Sequence, residues 1–387
     1  MFFRVLGVIL CLSLAACNTT SVEGPVSPGY KPALTSTEAG LWMTMNKFER
    51  RLANSALVER DPELNAYVKS VICRVSEAHC QDIQLFILKN PYFNASMAPN
   101  GSMFVWTGLL LRVQNEDQLA AVLGHELVHY VNRHSLQQWN RTKATLEFLT
   151  FFTIATGGFD FGITGMLATV GAMGALQGYS RDHEHEADAG GVKLVHEAGY
   201  DVDEIVKLWE LIEAEHKASE KETPSIFWAT HPANEDRIKR LTEEGERLKA
   251  DRRVLKRGPS SKFQDVYAKH WHQWAQNLVT VSGPKEASVV LEHLEANGQN
   301  AEEIAYFIAE VYRRKGTEDE LEKAKEYYLK AASIEPAPLK THKHLGLVEK
   351  RLGRNEAAIS SFETYLEQNP SAADAKLVRS YIEQLRK

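Results

Sequence analysis

Two histidines four residues apart with a glutamate beside the first, His125-Glu126-Leu127-Val128-His129, are the residues best suited to chemistry. On a helix, positions i and i+4 share a face. Both imidazoles can therefore grip one Zn²⁺, at about 2.0–2.1 Å each. Glu126 lies about 100° round the helix from His125, beside the metal rather than on it. There it can act as general base towards a water activated by the zinc. A bare H-E-x-x-H arises by chance in long chains, and its bland explanation is a pair of core histidines. The flanks argue against that. Ala120, Ala121, Leu123, Gly124, Leu127 and Val128 are small or apolar, and burying three such polar groups among them without a partner is costly.

Catalytic zinc needs a third protein ligand and one open position. The candidates cluster in Ser180-Arg181-Asp182-His183-Glu184-His185-Glu186-Ala187-Asp188. Spacing alone leaves every carboxylate and imidazole there in play. Glu184 and Asp188 stand at i and i+4 on one helix face. Glu184 could bind zinc while Asp188 accepts the free ring N–H of a ligand histidine and fixes its tautomer. His134, five residues after His129, is too far round a continuous helix to share the metal face and reads as structural.

These residues need helices to carry them. The apolar stripe Leu119, Val122, Leu123, Leu127 and Val131 predicts one helix from Asp117 to about Gln138, capped by Asn115 or Glu116. Helical patterns also cover 38–57, 61–76, 180–198, 201–218 and 234–250. Between them Ile83–Leu88 reads as a strand, and Asn94–Ala98 with Ser102–Trp106 reads as a hairpin turned by Pro99-Asn100-Gly101. Residues 148–178 are apolar, with Asp160 the only charge and many glycines. They read as a pair of buried or membrane-touching helices rather than a span. Arg252 to Ser261 reads as a linker. Beyond it Ala324, Tyr328 and Pro336 recur 34 residues later as Ala358, Phe362 and Pro370, and Leu345-Gly346 answers Ile308-Ala309. That resembles the tetratricopeptide repeat, which has this period. Residues 264–299 read as a degenerate helical hairpin packed onto the array, with Trp271 and Trp274 as core aromatics, and 371–386 as a capping helix.

H-E-x-x-H followed by Ser180-Arg181, Glu184, Ala187 and Asp188 resembles the HtpX and CAAX-prenyl-protease family of zinc metallopeptidases. With the repeat tail, the chain is most similar to the periplasmic BepA-type branch of that family. The resemblance covers roughly residues 40–250 and implies that Glu184 is the third zinc ligand. It leaves His183, His185 and Glu186 as variable positions on a solvated face. Thr230-His231-Pro232 and Arg237-Ile238 also resemble a loop of this family. His231 then has three readings: a fourth ligand that makes the enzyme latent, a donor to the oxyanion of the scissile carbonyl, or a loop anchor before the proline. The chain departs from the BepA type in its lipobox and short repeat array, and from HtpX proper in lacking convincing flanking spans.

The first residues carry one charge, Arg4, then an apolar run ending in Leu14-Ala15-Ala16-Cys17. This reads as a secretory signal over 1–16 with a bacterial lipobox, so that Cys17 is lipidated. Asn18 in the next position favours the outer membrane under the sorting rule for such signals. Residues 17–37, rich in Thr, Ser, Gly and Pro, read as a flexible tether. Of the four cysteines, Cys73 and Cys80 would remain for a disulfide. The net charge of −6, with no Lys/Arg run, gives no footing for nucleic acid.

The expected architecture is α+β: a zincin-like, mostly helical peptidase domain with a small sheet over 38–250, a linker over 251–263, and an all-α repeat domain over 264–387. The expected function is an envelope zinc metalloendopeptidase on the periplasmic face of the outer membrane. It would use one Zn²⁺ and act on misfolded or stalled outer-membrane and periplasmic proteins. By analogy the repeats would dock outer-membrane assembly machinery. A chaperone or assembly scaffold with a latent zinc site is the alternative, and an intramembrane peptidase spanning at 148–178 is a third.

Overall fold

The computed structural model describes residues 24–142, 179–219, 226–231, 236–250, 258 and 260–387. The signal segment 1–16, Cys17 and the apolar stretch 148–178 lie outside the described residues. Among the described residues, no helix is long and apolar enough to cross a membrane.

Period-two alternation builds a three-stranded sheet in the order β1-β3-β2. Strand β1 (Gln84–Leu88) pairs in parallel with β3 (Ser102–Trp106), and β2 (Ala95–Met97) pairs with β3 antiparallel. The β2–β3 hairpin turns through Asn100-Gly101, as expected. Gly101 has φ +88°, and a Cβ there would stand 2.2 Å from the Asp82 carbonyl oxygen, so only glycine fits. Phe86, Leu88, Phe104 and Trp106 face helix α1 (Thr37–Leu52), which contributes Met45, Phe48 and Leu52. Ile87, Met103 and Val105 face the main core with α2 (Pro62–Val75), α3 (Thr107–Arg112) and α4 (Glu116–Val131). A disulfide joins Cys73 in α2 to Cys80 in the turn before β1.

The single helix expected over 117–138 is two helices. Asn115 caps α4 through its side chain, and the helix stops at Asn132. Arg133 then takes a left-handed φ of +56° before α5 (His134–Thr142) begins. Distant residues impose this break. Arg133 Nη1 lies 2.6 Å from Glu38 Oε2, and its guanidinium stands 4.2 Å over the Tyr30 ring. The tether expected over 17–37 is also corrected where it is described. Val26 is buried and its N–H donates to the Val131 carbonyl at 2.7 Å. The Gly29 N–H donates to Asp82, and the Tyr30 hydroxyl donates to Glu38 at 2.8 Å. This segment is a strap across the end of α4. Its composition reads as a linker, but its backbone is satisfied by long-range partners.

Helices α6 (Arg181–Glu197), α7 (Asp203–Ala218), α8 (Ile226–Thr230) and α9 (Arg237–Lys249) complete the α+β unit. The all-α part comprises α10 (Ser261–Val281), α11 (Pro284–Ala296), α12 (Ala301–Lys315), α13 (Glu318–Ala332), α14 (Thr341–Arg351), α15 (Asn355–Gln368) and α16 (Ala375–Leu385). Ala309, Ala324, Tyr328 and Leu345 share one small core, and Ala358 and Phe362 another. A Cβ on Gly346 would sit 2.7 Å from the Phe362 ring, so the small residue sets how closely α14 and α15 approach.

The linker expected over 251–263 ends early, since α10 begins at Ser261 with Ser260 as its cap. The first hairpin, α10 and α11, is no separate body. Phe263, Val266, Tyr267, Trp271 and Trp274 belong to the same buried cluster as Leu64, Val68, Leu110 and Leu119. The Tyr267 hydroxyl donates to the Leu111 carbonyl at 2.9 Å. Burying a large aromatic here stabilises both parts at once. Trp274→Ala should cost about 3–5 kcal/mol and lower one shared thermal unfolding transition. Calorimetry showing the loss in a separate repeat transition would contradict the continuous core.

Candidate metal and active site

Helices α4 and α6 carry most of the site, and glycines let them touch. A Cβ on Gly191 would lie 3.0 Å from the His125 Cα and backbone nitrogen, and one on Gly190 would lie 2.9 Å from Val128. At that separation the α6 carboxylates reach the α4 imidazoles. His129 Nε2 lies 3.4 Å from Glu184 Oε1, and His125 Nε2 lies 3.7 Å from Glu184 Oε2. The two Nε2 atoms are 3.0 Å apart. His231, just past α8, closes the group: its Nδ1 stands 3.3 Å from His125 Nε2 and 3.1 Å from Glu184 Oε1. All four residues are buried, and their ligand atoms lie within 4.8 Å of one another.

This donor set fits a zinc ion. Four donors about 2.0–2.1 Å from Zn²⁺ at tetrahedral corners stand about 3.3 Å apart, close to the separations found. Three imidazole nitrogens and a carboxylate are also the donor types zinc takes. Burial holds the His129 imidazole well below its ordinary pKa despite the pull of Glu184, so the ring is neutral, as a ligand must be. Burial would raise Glu184, but His231 and His129 outweigh it and hold the carboxyl well below its usual range.

Glu126 is buried next to the cluster, with Oε1 3.4 Å from His231 Nε2. Its Oε2 has no hydrogen-bond partner among the described residues. Burial raises its pKa, against the opposing pull of His231 and His125, which favours a group that accepts and releases a proton. Asp188 Oδ1 stands 3.1 Å from His125 Nδ1. Arg237 donates to the same oxygen at 2.6 Å, sits 3.4 Å from Glu184 Oε2, and stacks 3.7 Å over the Trp209 ring.

Three contributors escaped the sequence reading. His134, read as structural, lies with Nδ1 2.9 Å from His129 Nδ1. The break at Arg133 brings it there, where an unbroken helix would have turned it away. His183, assigned to a solvated face, is buried and stacks on His134 with centroids 4.4 Å apart. Tyr179 stacks on His129 at 3.8 Å and shares a 2.9 Å hydrogen bond with Ser135 Oγ. Its place just before the helix cap Ser180 was the one available signal. The Tyr179 N–H also donates to the Thr230 carbonyl at 3.1 Å, which ties the start of α6 to the His231 turn.

Residues 58–245 match the model of peptidase family M48, and residues 302–338 and 343–371 match the tetratricopeptide repeat. The chain is 31% identical over 210 residues to the mitochondrial metalloendopeptidase OMA1 of Schizosaccharomyces pombe, covering 51% of this chain and 60% of that protein. It is 31% identical over 225 residues to the mitochondrial metalloendopeptidase OMA1 of Bos taurus, covering 54% and 41%. It is 25% identical over 258 residues to the beta-barrel assembly-enhancing protease of Escherichia coli O157:H7, covering 61% and 52%. The chain thus spans about half the length of the curated relatives it matches.

Zinc added to metal-free protein should raise its unfolding midpoint, because the native fold presents all four donors and the unfolded chain does not. At a hundredfold excess over Kd the gain is about 2.7 kcal/mol. His125→Ala should abolish it, as read by differential scanning calorimetry with and without zinc.

Proposed function

Because the chain carries a peptidase family M48 domain over residues 58–245 with tetratricopeptide repeats behind it, we propose that it is a zinc metalloendopeptidase of the bacterial envelope. Its substrates are misfolded or stalled outer-membrane and periplasmic proteins, and the lipobox cysteine Cys17 holds it at the periplasmic face of the outer membrane. The repeats bind polypeptides or assembly machinery. The observation that carries the reading is the buried convergence of His125, His129 and Glu184 with Glu126 beside them.

His125, His129 and Glu184 hold the metal. Zinc bound there supplies Lewis acidity towards a carbonyl oxygen and makes water more acidic. Glu126 takes the proton of the attacking water and returns it to the leaving amine, so the products are two peptides with no covalent intermediate. Asp188 accepts the proton on His125 Nδ1 and keeps Nε2 turned to the metal. Arg237 offsets the paired negative charge of Asp188 and Glu184.

His231 supports a latent resting state. Its Nδ1 occupies the fourth corner of the donor set, and its Nε2 lies against Glu126. With a metal held by His125, His129 and Glu184, the same imidazole would cover the position that a catalytic site keeps open, and it sits on the proposed base Glu126. This observation also favours the second reading, a scaffold that seldom turns over.

Casein cleavage by the purified protein tests the peptidase reading. Glu126→Gln should lower it by roughly 10²–10⁴-fold while zinc stays bound; equal activity in the variant would remove Glu126 as the base. His231→Ala should raise cleavage severalfold over wild type if latency holds. A fall, with zinc retained, would make His231 a participant in the chemistry instead.

A further inference from the structure

The two metal-binding histidines of α4 are supported differently. His125 Nδ1 meets a carboxylate directly, the buried and Arg237-paired Asp188. His129 meets another imidazole. Its Nε2 faces His125 and Glu184, so its proton belongs on Nδ1, which lies 2.9 Å from His134 Nδ1. For that contact to be a hydrogen bond, His134 Nδ1 must be the acceptor, and His134 must carry its own proton on Nε2. That atom lies 3.2 Å from Glu186 Oε2. Asn132 Nδ2 donates to the other Glu186 oxygen at 2.7 Å. The His134 ring is held by stacking on His183, tilted 12° from parallel. The left-handed turn at Arg133, pinned by Glu38 and Tyr30, sets its direction.

We propose that His134 is a positioning residue for His129, accepting its Nδ1 proton and passing the polarity through Nε2–H to the carboxylate of Glu186. The inference rests on the metallopeptidase reading above and adds to it. Each imidazole ligand then ends on a carboxylate, His125 at one step and His129 at two. The relay holds His129 in the tautomer that turns Nε2 to the metal and makes it the stronger donor. Its outer end is in solvent, since the Glu186 side chain is 57% exposed. Asp188 on the other arm is sealed inside.

Zinc affinity of the full chain, measured by competition with a chromophoric chelator at neutral pH, tests this, with far-UV circular dichroism as the check on folding. His134→Phe keeps the stacking ring but removes the acceptor, and should weaken zinc binding roughly 10–100-fold. His134→Asn puts an amide oxygen near the Nδ1 position and should recover most of the loss. Glu186→Gln should weaken binding in the same direction by a smaller factor. Wild-type affinity in His134→Phe, or an equal loss in His134→Asn, would overturn the relay and leave only a packing role. Should His134→Phe fail to fold, the exposed substitution Glu186→Gln decides: weaker zinc binding supports the relay, and unchanged binding overturns it. A wild-type chain that binds no zinc would instead overturn the metallopeptidase reading beneath it.

Discussion

Everything at the centre of this molecule depends on how closely α4 and α6 approach. Gly190 and Gly191 remove the two side chains that would hold the helices apart. A carboxylate has a short reach, and Glu184 meets both histidines only because the backbones nearly touch. The approach also buries every ionisable group of the site, and burying charge is expensive unless it is compensated. The surroundings are organised around that demand. Arg237 answers Asp188 and Glu184, Asp188 answers His125, and His134 with Glu186 answers His129. The donor set is therefore preformed, with each ring's orientation fixed from behind by a hydrogen bond or a stacked neighbour.

Part of this was legible in the sequence. His125, Glu126 and His129 follow from helical geometry, because i and i+4 must share a face. Glu184 and Asp188 could be paired by the same rule, but choosing Glu184 as ligand needed the family resemblance. What the sequence hid was tertiary in origin. Asn132 is only a weak stop signal; Glu38 and Tyr30, from far earlier in the chain, hold Arg133 in the turn that ends the helix. With that break hidden, the approach of His134 to His129 Nδ1 could not be read, although its place outside the donor cluster could. The strap at Val26–Tyr30 was missed for a related reason, since a Thr, Ser, Gly and Pro-rich composition reports local flexibility and says nothing of Val131 or Asp82 as partners. Trp271 and Trp274 were recognised as core aromatics, but their pattern could not reveal that the core is shared with the α+β unit.

The site is also bound to the periphery by short paths. Tyr179 joins His129 to the turn that carries His231, through ring stacking on one side and a backbone hydrogen bond to Thr230 on the other. Glu116, at the start of the helix that carries His125 and His129, accepts from Tyr67, Tyr200 and Arg74 together. The helix is thus held at its first turn by a polar hub and at its last by the strap, while its middle carries the chemistry. Movement of α4 as a unit would have to break both ends at once.

The shared core between the α+β unit and the first repeat hairpin has a geometric consequence. A hinged repeat domain would sweep its cargo through a large volume and offer the site every length of tail. A welded one acts as a gauge. If the repeats grip a polypeptide, as proposed, it would approach the His125–His129–Glu184 site from one fixed direction and across one fixed gap. Tails too short to bridge that gap would have no effective concentration at the site, and those that just reach would have the most. Selection would then turn on how far the free end of a substrate extends from its point of capture, before any side chain is read.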